Sequence, residues 1–268
     1  MRTPRLAGLG LVTMATVALA VAGCDNGGAT PGASAPATEV PSTGTSSSAA
    51  DPAAVSALSA AAAKLGNTSF KVTVTSGSGF KMTGAIDAPH GAGTAEVTAS
   101  GPNAELNIKT LMIDKDLYVQ VPGITKTGTW THLDASRLPA GANVGLRPGQ
   151  IDPLNTASLL GSTTDVHATG GNSYAGTLDL TKAAGLAGID QVTIDGYGPA
   201  AQRVPFTAGL DDQGRLSALT INLPAVGGQQ AQPIEALYTD YGVQVTVQRP
   251  AASEITEAPD SLYKALGG

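Results

Sequence analysis

Ser261-Leu262-Tyr263-Lys264 has the spacing S-x-x-K, which pairs a serine nucleophile with a lysine amine, and Lys126-Thr127-Gly128 supplies a K-T-G. In penicillin-binding enzymes the serine motif comes first and S-D-N lies between the two. Here the order is reversed and S-D-N is missing, so these fragments do not form a catalytic set. His90, His132 and His167 are far apart, and none has a ligand-spaced partner such as H-E-x-x-H. They read as loop or surface histidines rather than as a metal site. Asp114 with Asp116, and Asp211 with Asp212, are paired carboxylates of the kind that do acid–base work. Both pairs fall in expected hairpin turns, where Asp is favoured for its backbone hydrogen bonds. No nucleophile–base set remains, so no enzyme activity, metal or cofactor is expected.

The remaining reactive group is Cys24, the single cysteine of 268 residues. Arg2 and Arg5 precede it as a short positive head, and Leu6 to Ala22 is almost free of polar groups and has no charge. A positive start, an apolar run and small residues at its end describe an export signal over 1–23. The run is near bilayer-spanning length, so an uncleaved anchor is the rival. Val21-Ala22-Gly23-Cys24, led in by Leu19, resembles the lipobox of bacterial lipoproteins. The resemblance implies a diacylglycerol on the Cys24 sulfur, cleavage before Cys24, and acylation of the new amino group with a palmitate-type chain. One acyl chain binds a membrane marginally, while two or three hold it stably, since each buried methylene contributes roughly 0.8 kcal/mol. The expected location is the extracytoplasmic face of the cell membrane. A lone cysteine also leaves an exported domain without an internal disulfide, so its core must suffice.

From Asp25 to Ala50 the chain is mostly Gly, Ala, Ser, Thr and Pro, with Asp25 and Glu39 its only charges. It has no hydrophobic period and is expected to be a disordered tether, 24–50 with the lipidated cysteine. As a flexible coil it reaches about 28 Å. Residues 51–268 remain as a single domain. The net charge of −6 becomes −8 once Arg2 and Arg5 leave with the signal. That balance offers no basic footprint for nucleic acid and no polybasic patch for lipid headgroups. Aromatics make up 4%, with Trp130 and three Phe, too few for a stacking platform. Asn67-Thr68-Ser69 fits a glycosylation acceptor that a bacterial lipobox makes idle.

The elements that must position any site are mostly strands. Asp51 caps and Pro52 opens a helix whose apolar face is Val55, Leu58, Ala62 and Leu65, ended by Gly66. The period then switches to two. "SFKVTVTS" places Phe70, Val72 and Val74 on one side, and "GFKMTGAID" follows after a Gly/Ser turn with Phe80, Met82 and Ile86. "GTAEVTAS" is a third strand. In "AELNIKTLMID", Leu106 and Ile108 are out of phase with Leu111 and Ile113, so a bulge near Lys109 is expected. "DLYVQV" and "TGTWTHLD" follow, with Trp130 in the core or at a cavity rim. "DPLNTASLLGS" reads as a helix capped by Asp152, and "SYAGTLDLT" as a strand. "RVPFTAGLDDQGRLSALTINLP" is a hairpin turning at Asp211–Gly214, and "IEALYTDYG" with "VQVTVQRP" a last hairpin through Gly242. A short helix closes the chain from Pro259 to Leu266. Short helices cannot cover so broad an apolar sheet face. Either the sheet closes on itself as a sandwich or barrel, or it curls and leaves a hollow.

Five segments in this order are similar to the LppX–LprA–LprF–LprG lipoproteins of actinobacteria, whose fold is similar to the LolA and LolB carriers. They are "SFKVTVTS" after the opening helix, "GTWTHLD", "DPLNTASLLGS", the 203–224 hairpin, and "YTDYGVQVTVQRPAASEI". The resemblance implies an α+β fold: a strongly curved antiparallel half-barrel of about ten strands with a few short helices on its concave side. It implies an apolar cavity that takes acyl chains of lipids or lipoglycans and helps move them across the envelope. Phe70, Val72, Val74, Met82, Ile86, Leu106, Ile108, Val119, Leu178 and Leu180 are the candidate lining. The expected partners are that ligand, the membrane through Cys24 and envelope export proteins, with the protein itself a monomer. The alternative is a surface interaction lipoprotein with a filled core, its contact loop the Gly/Pro-rich passage Leu138 to Pro153.

Overall fold

The structure is a computed structural model that describes residues 50–77, 79–100, 105–123, 125–138, 146, 152–182, 189, 191–225 and 232–266, all within the unit Ser46–Gly268. The signal segment, Cys24 and nearly all of the tether lie outside the described residues, as does most of 138–153.

Helix α1 (Pro52–Leu65) starts where the sequence predicts. The Asp51 carboxylate accepts from Ala53 N at 2.9 Å, proline occupies the first turn, and Gly66 caps the end. Its buried face is Ala54, Leu58, Ala61, Ala62 and Leu65, while Val55 is half-buried at the edge. Strands β1 (Ser69–Ser76), β2 (Phe80–Asp87), β3 (Ala92–Ser100), β4 (Glu105–Ile113), β5 (Asp116–Gln120) and β6 (Trp130–Asp134) then form an antiparallel meander. The short helix α2 (Thr156–Gly161) follows, then β7 (His167–Gly170), β8 (Ser173–Leu178), helix α3 (Gln191–Tyr197), β9 (Val204–Leu210), β10 (Leu216–Asn222) and β11 (Pro233–Thr239). Strand β12 (Ile255–Glu257) and helix α4 (Asp260–Leu266) end the chain. The twelve strands make one sheet in the order β12-β6-β5-β4-β3-β2-β1-β11-β10-β9-β8-β7. Every pair is antiparallel except β12 with β6. Among the described residues the fold is thus α+β with an open sheet of twelve strands, rather than about ten.

Strand register sorts the side chains. Phe70, Val72 and Val74 lie opposite Ile86, Gly84 and Met82, which lie opposite Gly93, Ala95 and Val97, and these lie opposite Met112, Thr110 and Ile108. Leu117, Val119 and Leu133 continue that face, as do Ile234, Ala236, Ile221, Leu219, Phe206, Val204 and Leu178 on the other side of β1. Most of these join one buried cluster with the inward faces of α1 and α2. This is the core face, against which α1 packs beside α2, β7 and β10.

Two expectations fail here. The β3–β4 register runs without interruption from Ala92↔Ile113 to Ser100↔Glu105, so there is no bulge near Lys109. Leu111 and Ile113 instead point to the outer face, where both are half-buried. The loss of phase marked two faces that are both partly covered, not a slip. Likewise 243–250 forms no strand with β11. Gly242 N donates to Ser69 O, Ser69 Oγ donates to Val243 O, and the segment leaves the sheet. Val243, Val245 and Val247 are half-buried and alternate with exposed Gln244, Thr246 and Gln248, so one side rests on protein without a ladder. A bulge does occur between Leu216 and Ala218, which keeps Leu216 and Leu219 both in the core.

Candidate functional site

Nine of the ten proposed lining residues share the core face by register, and Leu180 joins the same cluster from the turn after β8. Phe70, Val72, Val74, Met82, Ile86, Val119, Leu178 and Leu180 are buried. Leu106 and Ile108 are not: Ile108 is half-buried and Leu106 is 36% exposed. Phe80 shares their end of the sheet, because Phe80↔Ala99↔Leu106 and Met82↔Val97↔Ile108 form successive cross-strand rows. Phe80 is 37% exposed, and Val97 and Ala99 are half-buried. The core face therefore runs from closed to open along β2, β3 and β4, and its open end presents Phe80, Val97, Leu106 and Ile108.

The closed end is filled by the chain itself. A Cβ placed on Gly93 would meet Ile86 Cδ1 at 3.3 Å and Leu146 Cδ1 at 3.5 Å. Leu146 is fully buried and lies over this part of the face. Among the described residues, the helices gather elsewhere: α1 over β7 and β10, and α3 with the turn Gly198–Gln202 beside β8. None of these described helices packs over the open end of β2, β3 and β4.

One polar set lies inside the apolar region. Tyr238 Oη and Thr156 Oγ1 share a buried hydrogen bond of 2.7 Å that fastens α2 to β11. The Asp152 carboxylate accepts from Thr156 N at 2.6 Å and from Leu154 N at 3.2 Å, ahead of the Asn155 cap. Burial outweighs those bonds and raises the Asp152 carboxyl above its ordinary value, and burial also raises the Tyr238 phenol. These bonds tie α2 and the turn before it to β11.

The sequence reading missed a second cluster, on the outer face. His132 is a strand residue with its side chain 16% exposed, not a loop or surface histidine. Its Nε2 lies 3.0 Å from Asp116 Oδ1 and its Nδ1 lies 2.8 Å from Glu257 Oε2. Arg249 bonds the other Asp116 oxygen and lies over the Tyr118 ring, which stacks on His132. Burial alone would lower the His132 pKa; the bonds to Glu257 and Asp116 outweigh it and raise it. The bond to His132 leads in holding Asp116 below its usual value. Asp116 is therefore not a turn residue, although Asp114 is, with φ +57. His90 and His167 are exposed as expected, bonded to Asp87 and to Asp165 O. Trp130 is half-buried on the outer face and belongs to neither core nor rim. Asp211 serves its hairpin turn, accepting from Gln213 N and Arg215 N.

Among the described residues, no group of His, Cys, Asp and Glu is placed to hold a metal, and no helix is long and apolar enough to cross a membrane. No protein-family model matches this chain, and no curated protein sequence matches it.

Proposed function

We propose that this chain is a lipoprotein anchored through Cys24 at the extracytoplasmic face of the cell membrane. In this reading it binds acyl chains of a lipid or lipoglycan against the core face of its sheet, curved as in the LolA-like carriers, and helps move them across the envelope. The observation that carries the reading is the open end of that face. Phe80 and Leu106 stay exposed at the margin of a continuous apolar core. Apolar surface left in water costs roughly 25 cal/mol per Å2, so such a margin is a place for hydrocarbon to settle. Binding there begins at Phe80, Val97, Leu106 and Ile108, while Phe70, Ile86 and Leu178 serve as packed floor.

Native mass spectrometry of a Cys24→Ser form lacking residues 1–23 tests this. Lipid adducts on the parent, and their loss in Ile108→Trp with the fold retained, are the expected result. Ile108 is chosen because it is half-buried at the open end, where a larger side chain takes the guest's place rather than straining a packed core. The filled-core reading draws on Gly93 and Leu146, whose neighbourhood has no room for a guest. A parent that stays bare and refuses added lipid, yet retains a protein partner, decides for that reading.

A further inference from the structure

After β11 the chain crosses to the far edge of the sheet and closes around it. Arg249 lies on the outer face over Tyr118. Ile255, Thr256 and Glu257 then run parallel along the β6 edge, opposite Trp130, Thr131 and His132. The next residue, Ala258, is buried in the core cluster, and its N–H donates to His132 O. Helix α4 follows, with Tyr263 buried in the same cluster as Leu117 and Leu133. The segment thus grips the sheet edge from both sides. Its purchase is slight: three strand residues, flanked by Pro250 and Pro259, which have no N–H to donate. Thr256 and Glu257 are exposed. Side chains hold it instead. His132 joins Glu257 to Asp116, Arg249 bonds Asp116, Arg137 Nη2 bonds Asp260 at 2.6 Å, and Asp134 N donates to Tyr263 Oη at 2.8 Å.

We propose that Arg249–Leu266 is a hinged flap latched to β5 and β6 through His132, and that its release bares the core face at the β6 edge and admits an acyl chain sideways toward Leu117 and Leu133. The route rests on the lipid-binding reading; the latch does not. Two carboxylates face the two nitrogens of one imidazole, and only the doubly protonated ring donates to both. The groups facing His132 are Asp116 and Tyr118 of β5, Asp134 of β6, Arg249 of the crossing segment and Glu257 of β12. Loss of the ring proton leaves Asp116 and Glu257 without their shared cation, and Arg249 then satisfies Asp116 alone.

Hydrogen exchange on the full chain, corrected for intrinsic rates, tests the latch. Protection of the 255–258 amides is expected to fall several-fold as pH rises through the His132 titration, while β1–β3 amides hold. In His132→Gln, protection is low throughout and the step disappears. Protection at 255–258 that ignores pH overturns the latch without need of any variant. For the route, a Thr131→Cys, Thr256→Cys pair in register locks the flap, and uptake of the fluorescent fatty acid cis-parinaric acid is followed. Several-fold slower uptake, restored by reductant, supports the side entrance. Uptake that ignores the lock overturns the route alone, whereas a parent that never takes up the probe overturns the lipid-binding reading and the route with it.

Discussion

Among the described residues no fully buried side-chain nitrogen or oxygen lacks a hydrogen-bond partner, so exchanges at the bonded pairs have predictable costs. Tyr238→Phe leaves Thr156 Oγ1 without its buried partner and is expected to cost about 1–3 kcal/mol in urea unfolding. Adding Thr156→Val removes the orphan and should recover part of that loss, which a double-mutant cycle measures. His132 gives a pH dependence of definite sign. Its folded pKa is raised above 6.5, so its stabilisation is complete below 6.5 and is lost as pH rises through the folded value. Asp116 is lowered below 3.8, so its share is present above 3.8 and is lost as pH falls through the folded value. His132→Gln should therefore be on the order of 1–2 kcal/mol less stable than the parent at pH 6, with the two curves converging in alkali. None of this was legible in the sequence. The partners of His132 are 16 and 125 residues away, and no local spacing announces them.

Elements were far more legible than side-chain clusters. Helix α1 was predicted because its cap, first-turn proline and apolar spacing are all local, and Asp51→Ala should cost about 1 kcal/mol in thermal or urea unfolding. The hairpin at Asp211–Gly214 was equally local, with Gly214 at φ +64 and the Asp211 carboxylate bonding the turn. The misread segments have separate physical causes. An alternation such as V-Q-V-T-V-Q reports that one side is buried, not that the backbone is laddered to a neighbour. Residues 243–250 satisfy the first condition without the second. Leu111 and Ile113 suggested a bulge because the outer face was taken to be bare. β7 and β12 escaped notice because four and three residues carry too little pattern. The candidate site divides in the same way. Alternation placed its residues on one face, but which of them stand open depends on where helices and Leu146 lie, a matter of tertiary cover.

At the scale of the molecule, a single cluster joins α1, both halves of the sheet and Tyr263 of α4. Leu58 is buried in it from the helix side, so Leu58→Ala is expected to cost about 2–5 kcal/mol. One core also predicts one transition. Far-ultraviolet dichroism and the fluorescence of the single Trp130, on β6, should trace the same urea curve for parent and variant. Separate curves would show that the two halves of the sheet melt independently.

The two margins of this sheet are its shortest members: β12 offers three residues and β7 four, the latter exposed throughout and ending at Gly170. A twelve-stranded sheet with long bare margins would zip onto its neighbours, above all where molecules crowd on a surface. Here a neighbour arriving at either side finds three or four rungs to grasp, so the breadth that gives the protein its greasy floor does not also turn it into a seed for fibrils.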